Sequence, residues 1–169
     1  KSTKQACELL IEDYDKMHGL NYTILQLGSV YGPGATQTNL ISRLIFEALT
    51  QNEIQHYGTG EEIRHYLFVK DVVNVAIDLM DVKFNKRKII LMGNERKTIS
   101  QLMDEIIFQT DLNSQKVFKE NDYGLHYKTS PFHTKPNSAI EYKIESPTSI
   151  KKGLKASILS LQSELAKQG

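Results

Sequence analysis

The feature that most constrains the fold is a regular alternation of helix-like and strand-like patterns along the chain. Apolar residues spaced three and four positions apart predict helices, and short runs rich in β-branched and aromatic residues between them predict strands. Such alternation is typical of α/β proteins. The helices outnumber the strands, so we expect that a complete doubly wound sheet would need strands that this chain does not supply.

Five helices are predicted from apolar periodicity and capping residues. The first has an apolar stripe that includes Leu9, Leu10 and Met17, and it ends at a glycine cap, Gly19. The fourth begins after Thr98 as its N-cap. The third is apolar enough to be well buried. The predicted helices are Lys1–Met17, Leu40–Leu49, Val72–Met80, Thr98–Ile107 and Ser149–Lys167.

Four strands are predicted, separated by turn-forming residues. Gly28–Gly34 contains three glycines and a proline and predicts a loop. Asp111–Asn137 has turn-forming residues and two prolines and is interpreted as a surface loop. The predicted strands are Asn21–Leu27, Ile54–Tyr57, Tyr66–Val69 and Lys88–Met92.

Composition and charge exclude several classes of protein. The chain has 21 basic and 20 acidic residues, a balance that is not typical of nucleic-acid binders. No apolar run reaches the roughly 18 residues that a membrane helix needs, and the first residues do not resemble a signal peptide. The single cysteine, Cys7, excludes an intramolecular disulfide and any multi-cysteine zinc site. His18, His126 and His133 lack the spacing of metal ligands. We therefore expect a cytoplasmic protein with no nucleic-acid or membrane partner.

Several motifs, taken in order, point to one family. Leu25–Gly34 is a strand followed by a glycine-rich loop. In Gly58–Val72, a Gly-Thr-Gly turn and an arginine precede a short strand that ends in an aspartate opening a helix. Ile89–Ser100 and Ser149–Leu154 add two weaker matches. Together these motifs resemble those of the NAD-dependent nucleotide-sugar epimerases and dehydratases, which are extended short-chain dehydrogenases.

The resemblance implies an α/β fold made of the C-terminal part of a Rossmann-like doubly wound domain and a small substrate-binding domain. Residues 1–35 would belong to the dinucleotide-binding domain. Residues 36–169 would belong mostly to the substrate-binding domain, with 66–92 partly returning to the Rossmann sheet. The glycine-rich dinucleotide fingerprint is not found in the chain, so we expect a segment of a longer enzyme that does not bind NAD by itself. The resemblance also implies a homodimer.

In this family the catalytic pair is Tyr-x-x-x-Lys on one helix face. The resemblance assigns the lysine to Lys4 and the tyrosine to the position immediately before Lys1. The lysine would bind the nicotinamide ribose and lower the pKa of the tyrosine. The phenolate would then take a proton from a sugar hydroxyl as hydride passes to the cofactor, and the keto sugar would be reduced on its other face or lose water. Without the resemblance, Lys4 is an ordinary solvated lysine.

A second Tyr-x-x-x-Lys match, Tyr66 and Lys70, is interpreted as unrelated to catalysis. Tyr66 lies in a run that predicts a strand, and residues four apart on a strand are about 13 Å apart. The two side chains would therefore not share a helix face.

The resemblance also implies a set of binding residues. Arg64 would bind the substrate diphosphate, although a surface ion pair with Glu61 or Glu62 is the alternative. Asn39 would contact the same diphosphate, or Asn39 and Leu40 would be a plain helix N-terminus with Thr38 or Asn39 as its N-cap. Tyr57 would stack on the nucleotide base, or would be an ordinary strand aromatic. The cofactor, NAD or NADP, is assigned to Lys4, Leu27, Ser29 and Val30, and the nucleotide sugar to Asn39, Leu40, His56, Tyr57 and Arg64.

Three positions depart from the family pattern. Serine stands at Ser29 where asparagine is frequent, glutamine at Gln26 where arginine is usual, and lysine at Lys135 where an arginine often grips the phosphates. Two other functions therefore stay open. One is a reductase of the same superfamily acting on another carbonyl substrate, and the other is a non-catalytic sensor or scaffold with a Rossmann-type fold.

Overall fold

Five α-helices and three small sheets make up the described residues, 2–120 and 139–167, of this computed structural model. All five predicted helices are confirmed, with shifted ends. A short 3-10 turn, Val82–Phe84, follows the third. The helices are α1 (Ser2–His18), α2 (Leu40–Thr50), α3 (Val69–Asp78), α4 (Ile99–Thr110) and α5 (Ile150–Ala166).

The strands pair mostly in parallel. One sheet has the order β1-β5-β8 and is wholly parallel. In the second, β2-β4-β6, the first pair is parallel and the second antiparallel, and β3 pairs with β7 in parallel. Parallel neighbours need crossover connections, which helices usually supply, so this is an α/β protein. The strands are β1 (Thr23–Leu27), β2 (Ser29–Tyr31), β3 (Glu53–Tyr57), β4 (Ile63–Phe68), β5 (Arg87–Leu91), β6 (Arg96–Thr98), β7 (Gln115–Lys119) and β8 (Ala139–Tyr142).

Two stretches predicted as loops contain strands. β2 lies inside Gly28–Gly34 and pairs with β4, and β7 lies inside Asp111–Asn137 and pairs with β3. Both strands are short, and they form by pairing with residues far away in the sequence, so their local sequence does not predict them. β6 and β8 are also absent from the predicted strands. Residues 121–137, with His126, His133 and Lys135, lie outside the described residues.

The prediction that the third helix is well buried is wrong. α3 begins at Val69, and Val75 is its one buried apolar residue. Val73, Ile77 and Met80 are 52%, 61% and 82% exposed. Only one face of α3 packs on the sheet. The prediction failed because an apolar composition indicates that a helix forms but does not show which of its faces are covered.

The apolar stripe predicted for α1 also faces outward. Leu9, Leu10 and Met17 are 61%, 59% and 64% exposed. The packed face is polar instead, since Lys88 on β5 lies 2.6 Å from Glu12 and Lys86 lies 2.8 Å from Asp15. The helix is therefore attached to the sheet by ion pairs, and its apolar stripe has no cover in the described residues.

Two hydrophobic clusters form the interior, and β4 separates them. Tyr66 and Phe68 belong to the larger cluster, between α2, α4 and α5, while Leu67 belongs to the smaller one, beside α3 and β5. Successive side chains of a strand point to opposite faces, which explains the alternation. β4 thus carries residues of both clusters, and it leads from the Arg64 end directly into α3.

Candidate functional site

A cavity of about 440 Å³ lies where β2, the start of α2, β3 and β4 meet, and we call it the β4 cavity. Its volume is in the range of small-molecule binding sites. Seven of the nine sequence-predicted site residues line it. They are Ser29, Val30, Asn39, Leu40, His56, Tyr57 and Arg64.

The start of α2 is fixed at the cavity wall by Asn39. Its side-chain Oδ1 accepts hydrogen bonds from the amides of Ile41 (3.1 Å) and Ser42 (3.4 Å). Its Nδ2 donates to the carbonyl of Val30 at 2.9 Å, which ties α2 to β2. The N-cap role considered for Asn39 is therefore present. A helix N-terminus at a cavity wall favours a bound anion.

Arg64 faces the same cavity without a carboxylate partner. Its Nη1 donates to the carbonyl of Ile63 at 2.9 Å. Among residues 2–120 and 139–167, no ion pair involves Arg64, so the surface pair with Glu61 or Glu62 is not formed. The half-buried guanidinium keeps donors and a positive charge for another anion.

Glu62 pairs with His56 instead. The Nε2 of His56 lies 3.2 Å from a carboxylate oxygen of Glu62, and the two side chains are 5% and 6% exposed. The other carboxylate oxygen accepts a hydrogen bond from the Thr59 amide. Burial alone would raise the pKa of Glu62, but the backbone amides of Glu62 and Thr59 and the His56 ring outweigh it and lower that pKa. The pair of His56 and Glu62 closes the turn after β3 and holds His56 in the cavity wall.

Tyr57 is half exposed at the cavity. The ring is 47% exposed, and the ammonium of Lys119 lies 5.9 Å from its centroid. A cation near one part of the ring leaves it available for stacking elsewhere. Both interpretations of Tyr57, as a base-stacking ring and as a strand aromatic, agree with this position.

Arg43 and Tyr66 are among five cavity residues that the sequence did not predict as binding residues. Arg43 lies one helical turn after Asn39, and its guanidinium pairs with the carboxylate of Glu47 at 2.9 Å. The four-residue spacing between Asn39 and Arg43 at the start of a predicted helix could have indicated that both lie on the same side of that helix. Tyr66 also lines the cavity, although its ring is 5% exposed. The expectation that Tyr66 and Lys70 do not share a helix face is confirmed, because Tyr66 lies in β4 and the exposed Lys70 in α3.

Lys4 and Leu27 lie outside the cavity lining. Lys4 is exposed in the first turns of α1. One turn further, Glu8 accepts a hydrogen bond from Gln26 near the carboxyl end of β1 (3.0 Å), so Lys4 lies beyond that end of the strand. Leu27 is the half-buried last residue of β1. Carboxyl ends of parallel strands are where open α/β sheets bind ligands.

Two further kinds of site are absent from residues 2–120 and 139–167. No helix there is long and apolar enough to cross a membrane. No group of three or more His, Cys, Asp or Glu side chains there is arranged to hold a metal ion.

Known proteins resemble this chain in sequence and fold. UDP-N-acetyl-alpha-D-glucosaminuronate decarboxylase of Bacillus cytotoxicus is 31% identical over 104 residues, which cover 60% of this chain and 32% of that protein. The dTDP-glucose 4,6-dehydratase of Escherichia coli is 26% identical over 113 residues, 63% of this chain and 31% of that protein. The structure of UDP-glucuronic acid 4-epimerase from Bacillus cereus, in complex with UDP-glucuronic acid and NAD, matches with a TM-score of 0.82 at 22% identity.

That structural match covers 96% of this chain and 52% of the Bacillus cereus protein, so the chain spans about half the length of this relative. The parallel sheets therefore match the epimerase fold over half its extent. The sequence model of the NAD dependent epimerase/dehydratase family matches residues 1–93, more than half of the chain. The chain belongs to the NAD dependent epimerase/dehydratase family.

Proposed function

We propose that the full-length gene product, of which the printed chain is all or part, transforms a nucleotide sugar with NAD or NADP, and that the β4 cavity binds the substrate's diphosphate. One observation carries the proposal: the Arg64 guanidinium, with no carboxylate partner in the described residues, shares the cavity with the N-terminus of α2. A diphosphate provides the anionic oxygens that both features favour.

The cavity residues have distinct roles in this proposal. Arg64 donates to phosphate oxygens through its planar fork, and the first turn of α2, from Asn39 and Leu40, adds amide groups and the positive end of the helix dipole. Because the Asn39 side chain already caps α2, its contribution is to orient that helix. His56 and Tyr57 on β3 form the wall for the nucleotide base.

The cofactor contacts of this chain belong to its N-terminal part. Lys4, Leu27, Ser29 and Val30 lie at or beyond the carboxyl end of β1, which fits the nicotinamide end of a dinucleotide. When bound, NAD supplies hydride acceptor and donor chemistry. Lys4 would bind the nicotinamide ribose and favour the ionised form of a neighbouring tyrosine. In this proposal residues 1–35 and the returning stretch 66–92 belong to the cofactor domain.

The relatives suggest which nucleotide sugars to test. Their names include decarboxylases, dehydratases and epimerases of UDP- and dTDP-linked sugars, and the Bacillus cereus epimerase structure contains UDP-glucuronic acid and NAD. Because these relatives carry out different reactions, the reaction type of the full-length product would be identified from the sugar nucleotide that it forms. We also propose that the full-length product is a homodimer, because the apolar face of α1 is exposed in the described structure.

The test is turnover by the full-length product supplied with NAD or NADP. It would be incubated with UDP-glucose, UDP-glucuronic acid, dTDP-glucose, GDP-mannose and CDP-glucose, and the products identified by NMR. We expect conversion of at least one sugar. Binding of a nucleotide sugar without conversion would instead favour the sensor, and reduction of an unrelated carbonyl compound alone would favour the reductase.

A further inference from the structure

Arg43 lines the β4 cavity and has no role in the proposed function. The residue lies in the first turns of α2, and its backbone amide already donates to the carbonyl of Asn39, so the cavity meets its side chain rather than its backbone. That side chain is 28% exposed. Arg43 is therefore within reach of a ligand in the cavity.

The guanidinium of Arg43 is held beside β3 by Glu47. Its Nη1 donates to one oxygen of the Glu47 carboxylate at 2.9 Å, and the other oxygen accepts a hydrogen bond from the amide of Gln55 at 2.8 Å. Glu47 is 8% exposed, so a buried carboxylate joins the arginine of α2 to the backbone of β3. The next two residues of β3, His56 and Tyr57, line the cavity. The guanidinium thus lies next to the strand to which the proposed function assigns the nucleotide base.

The charge of the pair decides which part of a nucleotide the guanidinium suits. Glu47 already neutralises Arg43, whereas Arg64 has no carboxylate partner in the described residues. A phosphate would compete with Glu47 for the cation, and a buried carboxylate left without its cation is costly. A neutral acceptor does not compete in this way, because the contact with Glu47 uses one of the five N–H donors of an arginine. The remaining donors favour a carbonyl oxygen.

We propose that Arg43 is a base-specificity residue whose guanidinium, positioned by Glu47, donates a hydrogen bond to a carbonyl oxygen of a uracil or thymine base held against β3. This inference rests on the proposed function and deepens it, since the diphosphate contacts belong to Arg64 and α2. Thymine and uracil present carbonyl acceptors, whereas adenine carries an amino donor and no carbonyl group. UDP should therefore bind more tightly than ADP, and Arg43 should supply much of that preference.

The experiment compares UDP and ADP binding, by calorimetry, to the full-length product and four variants. Arg43→Met removes the guanidinium and keeps an unbranched stem with good helix propensity. Arg43→Met combined with Glu47→Gln removes both charges, so no buried carboxylate is left without its cation. Lys116→Met is the matched control, because the Lys116 side chain is also 28% exposed and pairs with a carboxylate, that of Asp104, but lies outside the cavity lining. Arg64→Ala reports on the diphosphate site, and thermal unfolding of each variant is measured alongside.

We expect Arg43→Met, alone or with Glu47→Gln, to bind UDP about ten- to 100-fold more weakly, the loss of a hydrogen bond from a charged donor, and ADP less than about threefold more weakly. Lys116→Met should bind both nucleotides as the wild type does. An equal loss for UDP and ADP would mean that Arg43 acts on the diphosphate or on the fold. Unchanged UDP binding in either Arg43 variant would mean that the guanidinium contacts no base. Both results would overturn the inference.

The two nucleotides separate this inference from the proposed function. Equal affinity of the wild type for UDP and ADP overturns the inference and leaves the diphosphate site at Arg64 unaffected. If the wild type binds neither nucleotide, the proposed diphosphate site and the inference fail together. Weaker binding of both nucleotides by Arg64→Ala, with the preference for UDP retained, supports the division of roles between the two arginines.

Discussion

The buried carboxylate of Glu62 links stability to pH at a single residue. Its lowered pKa means that it stabilises the fold above its ordinary value of 4.5, and that this contribution is lost as the pH falls through the lowered pKa. We expect Glu62→Gln to reduce the free energy of unfolding by about 1–3 kcal/mol at pH 7, because glutamine loses the charge that pairs with His56. Chemical denaturation of the full-length product measures this loss.

The difference between wild type and Glu62→Gln should shrink as the pH is lowered below about 4.5, since the wild type then loses the same charge. Glu61→Gln is the control, because Glu61 is exposed on the same turn and should leave the unfolding free energy unchanged at every pH. If the difference in unfolding free energy between wild type and Glu62→Gln stayed constant as the pH falls, this account of the His56–Glu62 pair would be contradicted.

Lys4 carries the catalytic part of the proposal. In the full-length product, Lys4→Met should nearly abolish turnover of the nucleotide sugar and shift residual activity to higher pH. A tyrosine without charged neighbours has a pKa of about 10, and a nearby positive charge lowers that pKa. Removing the charge of Lys4 therefore means that a higher pH is needed to form the phenolate. Methionine keeps the stem and the helix propensity, so the unfolding free energy should change by less than about 1 kcal/mol.

Turnover against pH, measured for Lys4→Met and for Lys70→Met, tests this role. Lys70 is an exposed lysine of the other Tyr-x-x-x-Lys match, and its substitution should leave turnover unchanged. Ordinary turnover and an unchanged pH profile in Lys4→Met would show that Lys4 has no catalytic role. The fold assignment would not be affected by that result.

Some site residues were predictable from sequence and others were not. Arg64 and Asn39 stand at motif positions, so resemblance alone led to them, and the structure brings them to one cavity. The partner of Glu62 was not predictable. Its closeness in sequence suggested an ion pair with Arg64, whereas the turn after β3 brings the Glu62 carboxylate to His56. The position of Arg43 beside β3 is visible only once α2 packs on that strand.

At the scale of elements, periodicity predicted the helices well and their surroundings poorly. The N-cap Thr98 of α4 and the glycine cap of α1 are both present, since capping depends on residues within a few positions. β7 was missed because its pairing with β3 joins residues that are far apart in sequence. The outward apolar face of α1 was missed because a stripe does not indicate what it packs against.

The exposed face of α1 predicts self-association of the full-length product. Leu9, Leu10, Tyr14 and Met17 are each more than half exposed on this helix, a patch that an isologous two-fold contact would bury. We expect light scattering to show a dimer, and Leu10→Glu to shift it towards monomer. Leu159→Glu, at a 57% exposed leucine of α5, is the control and should remain dimeric. A wild type that is monomeric at high concentration would contradict this prediction.

At the scale of the whole molecule, the proposed function assigns to this chain one part of a nucleotide-sugar enzyme's binding surface. The cofactor pyrophosphate site of such folds is built from a glycine-rich turn and a helix N-terminus, and the chain has no such fingerprint. We therefore expect these 169 residues alone to show no NAD binding by calorimetry, whereas the full-length product should bind it. Micromolar NAD binding by the 169-residue chain would contradict this expectation.

Calorimetric titration of UDP into the full-length product tests the central claim, that the β4 cavity binds a nucleoside diphosphate through Arg64, most directly. Arg64→Ala removes a charge-assisted contact worth about 1.5–3 kcal/mol, so UDP binding should weaken by about ten- to 150-fold. Arg87→Ala, at an exposed arginine that begins β5, should bind UDP as the wild type does. Equal UDP affinity of Arg64→Ala and wild type would contradict the account.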